Sequence, residues 1–353
     1  MNFTVARLSG DGIGPEVTEA ASVVLEDALA LCGHAVAWVD AQIGGAAIDA
    51  HGDPFPDITR EAVDRTDAVL LGAVGGPKWD DPESEVRPEQ GLLRLRAHLG
   101  VFANLRPIRV EESLVPISPL KSGIVAGTDL LIVRELTGGA YFAAKRLEGD
   151  RATDECVYTE REVERVARVA FDAARSRTGR VCSVDKANVL ETSRLWRRVV
   201  NRVQEADYPD VALEHQLVDA MAMHLLTRPT SFDVVLTENM FGDILSDEAS
   251  VLAGSLGMLP SASVGAGRGG LFEPCHGSAP DITGRGTANP YAAILSGALL
   301  LEHALQSPDA AARVRGAVTA SLRQGIATPD IGGSSSSREV TEAVRSTLAT
   351  LRP

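Results

Sequence analysis

Residues 237–247 read Thr-Glu-Asn-Met-Phe-Gly-Asp-Ile-Leu-Ser-Asp and directly follow an apolar run at 232–236. The apolar run predicts a buried strand that leads straight into a helix. In that helix Asp243 and Asp247 are four residues apart, so their carboxylates share one face about a turn from each other. The stretch therefore predicts polar chemistry at the end of a buried strand.

The pair Asp243 and Asp247 has two interpretations. Two like charges so placed repel each other unless a cation lies between them, and hard oxygen ligands suit Mg²⁺ or Mn²⁺ better than a thiol-seeking metal. The alternative is a solvated pair of acids, because acids on exposed helix faces are common. The spacing alone leaves both interpretations open.

Composition restricts the class of protein. The chain has 353 residues, 44% hydrophobic and 23% charged, which is typical of a globular protein with about two domains. A net charge of −14 argues against a nucleic-acid partner. Four cysteines without a C-x-x-C pair indicate neither a disulfide framework nor a zinc site. No cleavable leader and no apolar run of membrane-spanning length are evident, so we expect a cytoplasmic protein without a membrane partner.

A glycine-rich turn at 10–16, Gly-Asp-Gly-Ile-Gly-Pro-Glu, follows a strand pattern at 3–8. It resembles a dinucleotide-binding fingerprint, and Asp40 lies where a ribose-binding acid is found in such sites. The third glycine comes too early, however, and Pro15 removes a backbone N–H that a pyrophosphate would need. We therefore expect no Rossmann site here.

Three arginines, Arg96, Arg106 and Arg134, fall at the ends of consecutive predicted elements. Their guanidinium groups could converge on the carboxylates of a small polyacid. Taken singly, each arginine also fits an exposed salt bridge. Lys186, at the end of a strand pattern, is either a surface residue or, when partly buried, a base with a lowered pKa.

The segment 276–282, His-Gly-Ser-Ala-Pro-Asp-Ile, follows an apolar stretch. Gly277, Ser278 and Ala279 are small enough for the backbone to approach a phosphate closely, and Asp281 could accept hydrogen bonds from both ribose hydroxyls. The alternative from composition is a glycine–proline loop without a ligand.

Taken together, these residues resemble the β-decarboxylating dehydrogenases, the family of isocitrate and isopropylmalate dehydrogenases, over essentially the whole chain. The resemblance rests on seven segments in register: GDGIGPE (10–16), NLRP (104–107), RELTGG (134–139), VDKAN (184–188), DAMAM (219–223), GDILSD (242–247) and HGSAPD (276–281).

The resemblance implies an α/β fold of the isopropylmalate-dehydrogenase type, with a large mixed sheet flanked by helices, and not a Rossmann fold. Residues 1–101 and 255–353 would form a discontinuous first domain on the cofactor side. Residues 102–254 would form a second domain with the dimer contact and the substrate and metal residues. The protein would be a homodimer whose active sites are shared across the interface.

The implied reaction is oxidative decarboxylation of (2R,3S)-3-isopropylmalate, a 2-hydroxy dicarboxylate, to 4-methyl-2-oxopentanoate and CO₂. NAD would be reduced, Mg²⁺ or Mn²⁺ would be required, and the pathway would be leucine biosynthesis. The same chemistry on tartrate, homoisocitrate or another alkylmalate is an alternative, as is a catalytically silent regulatory relative. Retention of Tyr141 and Lys186 speaks against the silent relative, and the lack of a Walker motif disfavours phosphoryl transfer.

The resemblance also assigns roles to single residues. Lys186 would be the general base, contributed by the partner, and Tyr141 the acid that protonates the enol. The metal would be held by Asp243, Asp247 and the partner subunit's Asp219. The residues that would bind substrate are Glu89, Leu92, Leu93, Arg96, Arg106, Arg134, Asn188 and Asp219.

In the substrate group, Leu92 and Leu93 would face the isopropyl substituent, and Glu89 would repel an additional carboxylate. Arg94 occupies a position that is commonly small and polar, which leaves fine specificity open. Asp281 followed by Ile282 resembles the NAD-preferring pattern. The residues that would bind the cofactor are Gly75, Gly76, Glu273, His276, Gly277, Ser278, Ala279, Asp281, Ile282 and, at the adenine, Asn289.

Overall fold

The computed structural model describes residues 1–79, 81, 84–267 and 269–350. Its strands are β1 (Asn2–Gly10), β2 (Ala35–Asp40), β3 (Ala68–Ala73), β4 (Val101–Arg109), β5 (Asp129–Glu135), β6 (Lys145–Glu148), β7 (Arg151–Asp154), β8 (Arg180–Asp185), β9 (Ala212–Leu217), β10 (Val234–Thr237), β11 (Pro260–Gly265) and β12 (Leu271–Pro274). Its helices are α1 (Gly14–Leu31), α2 (Gly45–His51), α3 (Asp57–Asp64), α4 (Pro88–Leu99), α5 (Ser122–Val125), α6 (Glu160–Arg175), α7 (Glu191–Asp207), α8 (Val218–Thr227), α9 (Asn239–Ser250), α10 (Tyr291–His303), α11 (Pro308–Arg323) and α12 (Ser337–Thr350).

The chain divides into two compact units. The first comprises Met1–Val101, Glu111–Ile117 and Gly254–Pro353, and the second comprises Phe102–Val110 and Ser118–Ala253. The domain bounds from the sequence remain a prediction. The units differ from them at Gly254, which belongs to the first unit, and at the segment Glu111–Ile117, which also belongs to it. For the segment, the physical reason lies in its contacts, because Leu114 is buried and the hydroxyl of Thr319 donates to Oε1 of Glu111 at 3.1 Å.

The first unit contains a mixed sheet with the strand order β2-β1-β3-β12-β11. The neighbours run parallel except for the antiparallel pair β11 and β12. Every residue of β3 is buried, as expected for a central strand covered on both faces. Helices α1, α10, α11 and α12 pack against one another, and α10 also packs on β11 and β12. The unit thus has the α/β character predicted from the sequence.

The glycine turn after β1 is used for close packing inside the first unit. Gly10 has φ +70°, and a Cβ there would lie 1.9 Å from the carbonyl oxygen of Ala73. A Cβ on Gly12 would lie 2.0 Å from the carbonyl oxygen of Ser278. The buried carboxylate of Asp11 accepts backbone hydrogen bonds at 2.7–2.8 Å from Gly45, Ala46 and Gly75. These contacts explain the glycine pattern without a dinucleotide.

The second unit contains a mixed sheet with the order β4-β5-β10-β8-β9 and a separate hairpin of β6 and β7. Strands β4 and β5 are antiparallel, and the other neighbours of the sheet are parallel. Arg134 comes next to last in β5. The prediction that Arg106 ends a strand is wrong, because β4 continues through Pro107, which pairs with Leu131, to Arg109.

The strand and helix predicted around residues 232–247 are confirmed as β10 and α9. All residues of β10 are buried. The carboxylate of Glu238 caps the helix by accepting a 2.7 Å hydrogen bond from the backbone N–H of Phe241. Mixed sheets with flanking helices confirm the predicted fold class. Among the described residues, no helix combines the length and apolar character needed to cross a bilayer.

Candidate active site

Strands β4 and β5 place three polar side chains on one face of the second unit. Asn104 and Arg134 are directly opposite each other in the antiparallel pair, and Arg106 follows Asn104 at the strand period of two. All three are buried, with Arg106 the most accessible at 7% exposure. Two buried cations therefore lie on the sheet face that α9 covers.

Helix α9 supplies the acids that pair with these cations. Nη1 of Arg134 donates to Oδ1 of Asp243, and Arg106 reaches the same oxygen at 3.5 Å and Oδ1 of Asp247 at 3.3 Å. Nη1 of Arg106 also donates to the hydroxyl of Ser246 at 2.6 Å. Partial burial and repulsion from Asp243 raise the pKa of Asp247, although Arg106 opposes the shift.

Tyr141 joins this cluster from the loop after β5. Its hydroxyl donates to Oδ2 of Asp243 at 3.1 Å, and its ring centroid lies 5.8 Å from the guanidinium carbon of Arg134. Partial burial and the nearby carboxylate of Asp243 raise the pKa of Tyr141, so the phenol is protonated at neutral pH. A protonated phenol can donate a proton to a bound reactant.

Lys186 and Asp219 form a second polar group in the same unit. Nζ of Lys186 donates to Oδ1 of Asp219, and this hydrogen bond lowers the pKa of the Asp219 carboxyl. Lys186 directly follows β8, and its backbone N–H is held by Oγ of Ser193 at 3.0 Å. Asn188 is exposed in the turn that follows. An amine and a carboxylate in contact can pass a proton between them.

The carboxylates fit part of a divalent-metal site. Asp243 and Asp247 offer only oxygen donors from one helical turn, which suits Mg²⁺ or Mn²⁺. Across the part of the chain that the structure describes, no three His, Cys, Asp or Glu side chains converge as metal ligands. Asp219 of the same chain therefore does not lie with Asp243 and Asp247 as a third ligand.

In the first unit, Arg96 pairs with Glu273. Nη2 of Arg96 donates to Oε1 of Glu273 at 2.9 Å, and both side chains are about nine-tenths buried, with 11% and 10% exposure. Within the described residues, Nε of Arg96 is buried without a hydrogen-bond partner. A buried, unpaired N–H is costly, which makes this group suited to an anionic ligand.

Helix α4 carries Arg96 together with the predicted substituent-binding residues. Leu92 and Leu93 are half-buried, and Leu92 packs against the apolar core of the first unit. A Cβ on Gly75 would lie 2.9 Å from Oε1 of Glu89, so that carboxylate is next to the Gly75 backbone. Arg94 donates to Oδ1 of Asp53 at 2.5 Å and to the carbonyl of Phe55 at 2.9 Å. Its guanidinium group thus ties α4 to the loop between α2 and α3.

The predicted cofactor loop is anchored to the glycine turn, since the carbonyl of Ser278 accepts from the N–H of Ile13 at 2.9 Å. A Cβ on Gly277 would meet no atom within 4 Å, so its backbone is open to a ligand. Among the described side chains, Nε2 of His276 is buried without a hydrogen-bond partner, and burial lowers the pKa of this imidazole. An open backbone and an unpaired ring nitrogen fit a polar cofactor.

Two other predicted cofactor residues differ in accessibility. Asp281 is exposed in the short turn Pro280–Ile282. Asn289 is buried: its Nδ2 donates to Oδ2 of Asp330 at 3.0 Å, and its Oδ1 accepts from the N–H of Tyr291 at 3.0 Å. The Asn289 amide is thus engaged at both ends, and its contact with adenine remains a prediction.

Gly76, another predicted cofactor residue, lies near the ring of Trp79.

A protein-family model described as isocitrate/isopropylmalate dehydrogenase matches residues 4–344. The chain belongs to the isocitrate/isopropylmalate dehydrogenase family. It is therefore an enzyme, an oxidoreductase of the dehydrogenase type, and the family resemblance expected from the sequence is confirmed.

Related proteins match this chain along nearly its whole length. A 3-isopropylmalate dehydrogenase of Rhodopirellula baltica is 53% identical over 344 residues, 96% of either chain. One of Anaeromyxobacter dehalogenans is 53% identical over 354 residues, 99% of this chain and 100% of its own length. A crystal structure of isocitrate dehydrogenase from Methylococcus capsulatus superposes with a TM-score of 0.86 at 34% identity, covering 98% of this chain and 99% of that one. The likeness confirms the predicted family fold.

Several polar residues around the candidate site were not indicated by the sequence. Asn104 and Asn239 hold the two arginines of the second unit, and Asp11 joins the glycine turn to the Gly75 loop. Asn104 lies within a segment that carries the family resemblance, which was the available signal. Its hydrogen bond to Arg106 could not be deduced from spacing alone.

Proposed function

We propose that this dehydrogenase converts (2R,3S)-3-isopropylmalate to 4-methyl-2-oxopentanoate and CO₂ while reducing NAD, as a step of leucine biosynthesis. The observation that carries the proposal is the cluster in which Arg106, Arg134 and Tyr141 all contact the carboxylate of Asp243. Two guanidinium groups, a carboxylate and a protonated phenol lie together there, which supports an anionic substrate, a divalent metal ion and proton transfer. Relatives at 53% identity that are named 3-isopropylmalate dehydrogenase support this substrate.

Substrate carboxylates are assigned to Arg96, Arg106 and Arg134. Arginine is suited to this because its planar guanidinium group offers paired N–H donors to a carboxylate. Arg106 and Arg134 are almost fully buried, so their charge is weakly screened by water. The unpaired Nε of Arg96 gains a partner when an anion binds.

The substituent at C3 is assigned to Glu89, Leu92 and Leu93 of α4. The leucines give an apolar surface for an isopropyl group, and the carboxylate of Glu89 disfavours a substrate with an additional carboxylate. Such an apolar contact discriminates by only about 1–3 kcal/mol, so related malates are expected to be slow substrates.

The metal ion, Mg²⁺ or Mn²⁺, would be held by Asp243, Asp247 and the partner subunit's Asp219. When bound, it supplies positive charge that stabilises the negative charge developing on the substrate oxygen at C2. Arg106 and Arg134 also form ion pairs with the two α9 acids. These pairs explain how two carboxylates one turn apart are tolerated beside each other.

Two residues would move the protons. Lys186 takes the proton of the C2 hydroxyl, directly or through Asp219 or a water molecule, as C2 is oxidised. The 2-keto acid then loses the C3 carboxylate as CO₂, since a β-keto acid decarboxylates readily. Tyr141, protonated at neutral pH, gives its proton to the resulting enol at C3.

NAD would bind to the first unit through the residues named above at 75–76, 273, 276–279, 281–282 and 289. When bound, it accepts a hydride from C2. The exposed carboxylate of Asp281 would accept hydrogen bonds from the 2′- and 3′-hydroxyls of the adenosine ribose and would repel a 2′-phosphate. We therefore propose NAD rather than NADP.

We also propose a homodimer, located in the cytoplasm, in which Lys186 and Asp219 act in the partner's site. Exposed apolar side chains of the second unit support an interface: Val189, Met223 and Ile244 are 62%, 61% and 59% exposed. Apolar surface shared by adjacent elements is typical of protein contacts, and α8 packs against α9. Met223 and Ile244 lie on α8 and α9, which also carry the metal-binding acids.

Initial rates with matched substrates test the proposal. NADH formation is followed with NAD, Mg²⁺ and, in separate reactions, 3-isopropylmalate, isocitrate, homoisocitrate and tartrate. The proposal predicts the highest kcat/KM for 3-isopropylmalate. A higher kcat/KM for another malate would support the same reaction chemistry and would show that the substrate assigned from the residues of α4 is wrong. No turnover of any acid would favour a silent regulatory relative.

A further inference from the structure

Each buried arginine of the second unit is held at its Nε edge by a buried asparagine. Nε of Arg106 donates to Oδ1 of Asn104 at 2.7 Å. Nε and Nη2 of Arg134 donate to Oδ1 of Asn239 at 3.0 and 2.8 Å. The two asparagines are 0% and 1% exposed. The same arrangement thus occurs twice, on a strand and at the start of a helix.

Nη1 of Arg134 and both Nη groups of Arg106 reach the acids of α9 instead. Arg134 contacts Asp243 through Nη1, and Arg106 contacts Asp243 and Asp247 through Nη2 and Nη1. A guanidinium group is planar and rigid, so fixing its Nε edge also fixes the direction of its remaining donors. The asparagines therefore set where the donor groups of each arginine lie.

The holding group is a neutral amide at both positions. A carboxylate there would accept the same hydrogen bonds, but it would also neutralise the buried cation, because charge interactions are strong where water is excluded. An amide oxygen satisfies Nε without adding a further negative charge beside the two acids of α9. Nδ2 of Asn239 also donates to the carbonyl of Gly138, in the loop that leads to Tyr141.

We propose that Asn104 and Asn239 are positioning residues for substrate binding, which orient Arg106 and Arg134 toward the substrate carboxylates without reducing their charge. The inference rests on the proposed function, since it assumes a dianionic malate as the ligand of these arginines. If the asparagines have this role, changing them should weaken substrate binding. If they only stabilised the fold, substrate binding by the folded variants should not change.

The test is a kinetic comparison of Asn104→Asp and Asn239→Asp with the parent enzyme at saturating Mg²⁺. Each change keeps the size of the side chain and the hydrogen bond to arginine, but adds a negative charge. We expect KM for 3-isopropylmalate to rise at least about tenfold, while KM for NAD changes less than about twofold. Asn201→Asp is the matched control, because Asn201 of the same unit bonds to Nε2 of His215, and its KM should not change.

Thermal melting establishes that each variant is folded. Where an aspartate variant does not fold, the alanine variant at the same position replaces it, with an expected rise in KM of at least about threefold. Folded variants at both positions with KM within about twofold of the parent value would overturn the inference, as would failure of all four variants to fold. A parent enzyme without turnover of 3-isopropylmalate would instead contradict the proposed function.

Discussion

The hydroxyl of Tyr141 lies 3.1 Å from Oδ2 of Asp243, while Nη1 of Arg134 donates to the other oxygen of the same carboxylate. One side chain of α9 thus contacts both the proposed proton donor and a proposed substrate ligand. If Asp243 also binds the metal, the three functions share one carboxylate. A change of Asp243 should therefore affect both KM and kcat, whereas loss of the Tyr141 hydroxyl should affect mainly kcat.

Replacement of Tyr141 by phenylalanine should remove the proton donor and leave the ring that packs near Arg134. We expect kcat to fall by about 10²–10⁴-fold with little change in KM for 3-isopropylmalate, because the hydroxyl acts on the reacting carbon after substrate is bound. Steady-state kinetics of NADH formation would measure both constants.

The matched control for that change is Tyr208→Phe, since the Tyr208 hydroxyl donates to Oδ1 of Asp172 at 2.9 Å, outside the site described here. Its kcat should stay near the parent value. A Tyr141→Phe enzyme that keeps more than about half of the parent kcat would exclude Tyr141 as the proton donor.

Sharing of the active site between chains can be tested with mixed dimers. Lys186→Met and Tyr141→Phe should each abolish most activity alone. When the two variants are co-expressed and the mixed dimer is purified through two different tags, one site per dimer should contain both intact residues. Activity near half of the parent value per dimer is expected, and its absence in confirmed mixed dimers would refute the shared site.

Asp233 is expected to contribute to the stability of the second unit in a pH-dependent way. Burial would raise its pKa, but hydrogen bonds from Thr178 and the ion pair with Arg177 at 2.7 Å hold the pKa below its ordinary value. The ionised form is therefore favoured by folding. Its stabilisation is fully present above about pH 4 and is lost as pH falls through the lowered pKa of the folded state.

Asp233→Ala should accordingly lower the free energy of unfolding by about 3 kcal/mol at pH 7, because Arg177 loses a buried partner. The difference from the parent should shrink when urea unfolding is repeated at about pH 3. The control is Asp129→Ala, which removes the other, 56% exposed acid bound by Arg177 and should cost about 1 kcal/mol or less. Equal losses for the two variants would contradict the assigned role of Asp233.

Asp281 should set the preference for NAD over NADP. Asp281→Ser removes the charge that disfavours a 2′-phosphate, so the ratio of kcat/KM for NAD to that for NADP should fall at least about tenfold. Rates measured with both cofactors at fixed substrate would give the ratio. An unchanged ratio would assign cofactor choice to other residues.

Local patterns were sufficient to predict the elements around Asp243. The apolar run before Thr237 and the spacing of Asp243 and Asp247 depend only on neighbouring residues, and β10 and α9 follow them. The extent of β4 was not predictable in the same way. A proline usually weakens a strand because it has no backbone N–H to donate. Strand β4 nevertheless continues past Pro107, since the residues before and after this proline are paired with β5.

Long-range hydrogen bonds account for the residues that the sequence did not indicate. Asn239 holds an arginine that lies 105 positions earlier, and Asp11 bonds to the N–H of Gly75, 64 positions later. No periodicity or short motif encodes such pairs, since they depend on how strands are arranged in the sheet. Likewise, the sequence assigned Arg96 to the substrate and Glu273 to the cofactor, and it did not indicate that these two side chains pair.

The most direct test of the proposed reaction is to follow NADH and CO₂ together in one mixture that contains 3-isopropylmalate, NAD and Mg²⁺. We expect equal amounts of NADH, CO₂ and 4-methyl-2-oxopentanoate, and loss of all three when a chelator removes the metal. NADH without CO₂, turnover that persists in excess chelator, or no turnover of 3-isopropylmalate would contradict the proposed reaction.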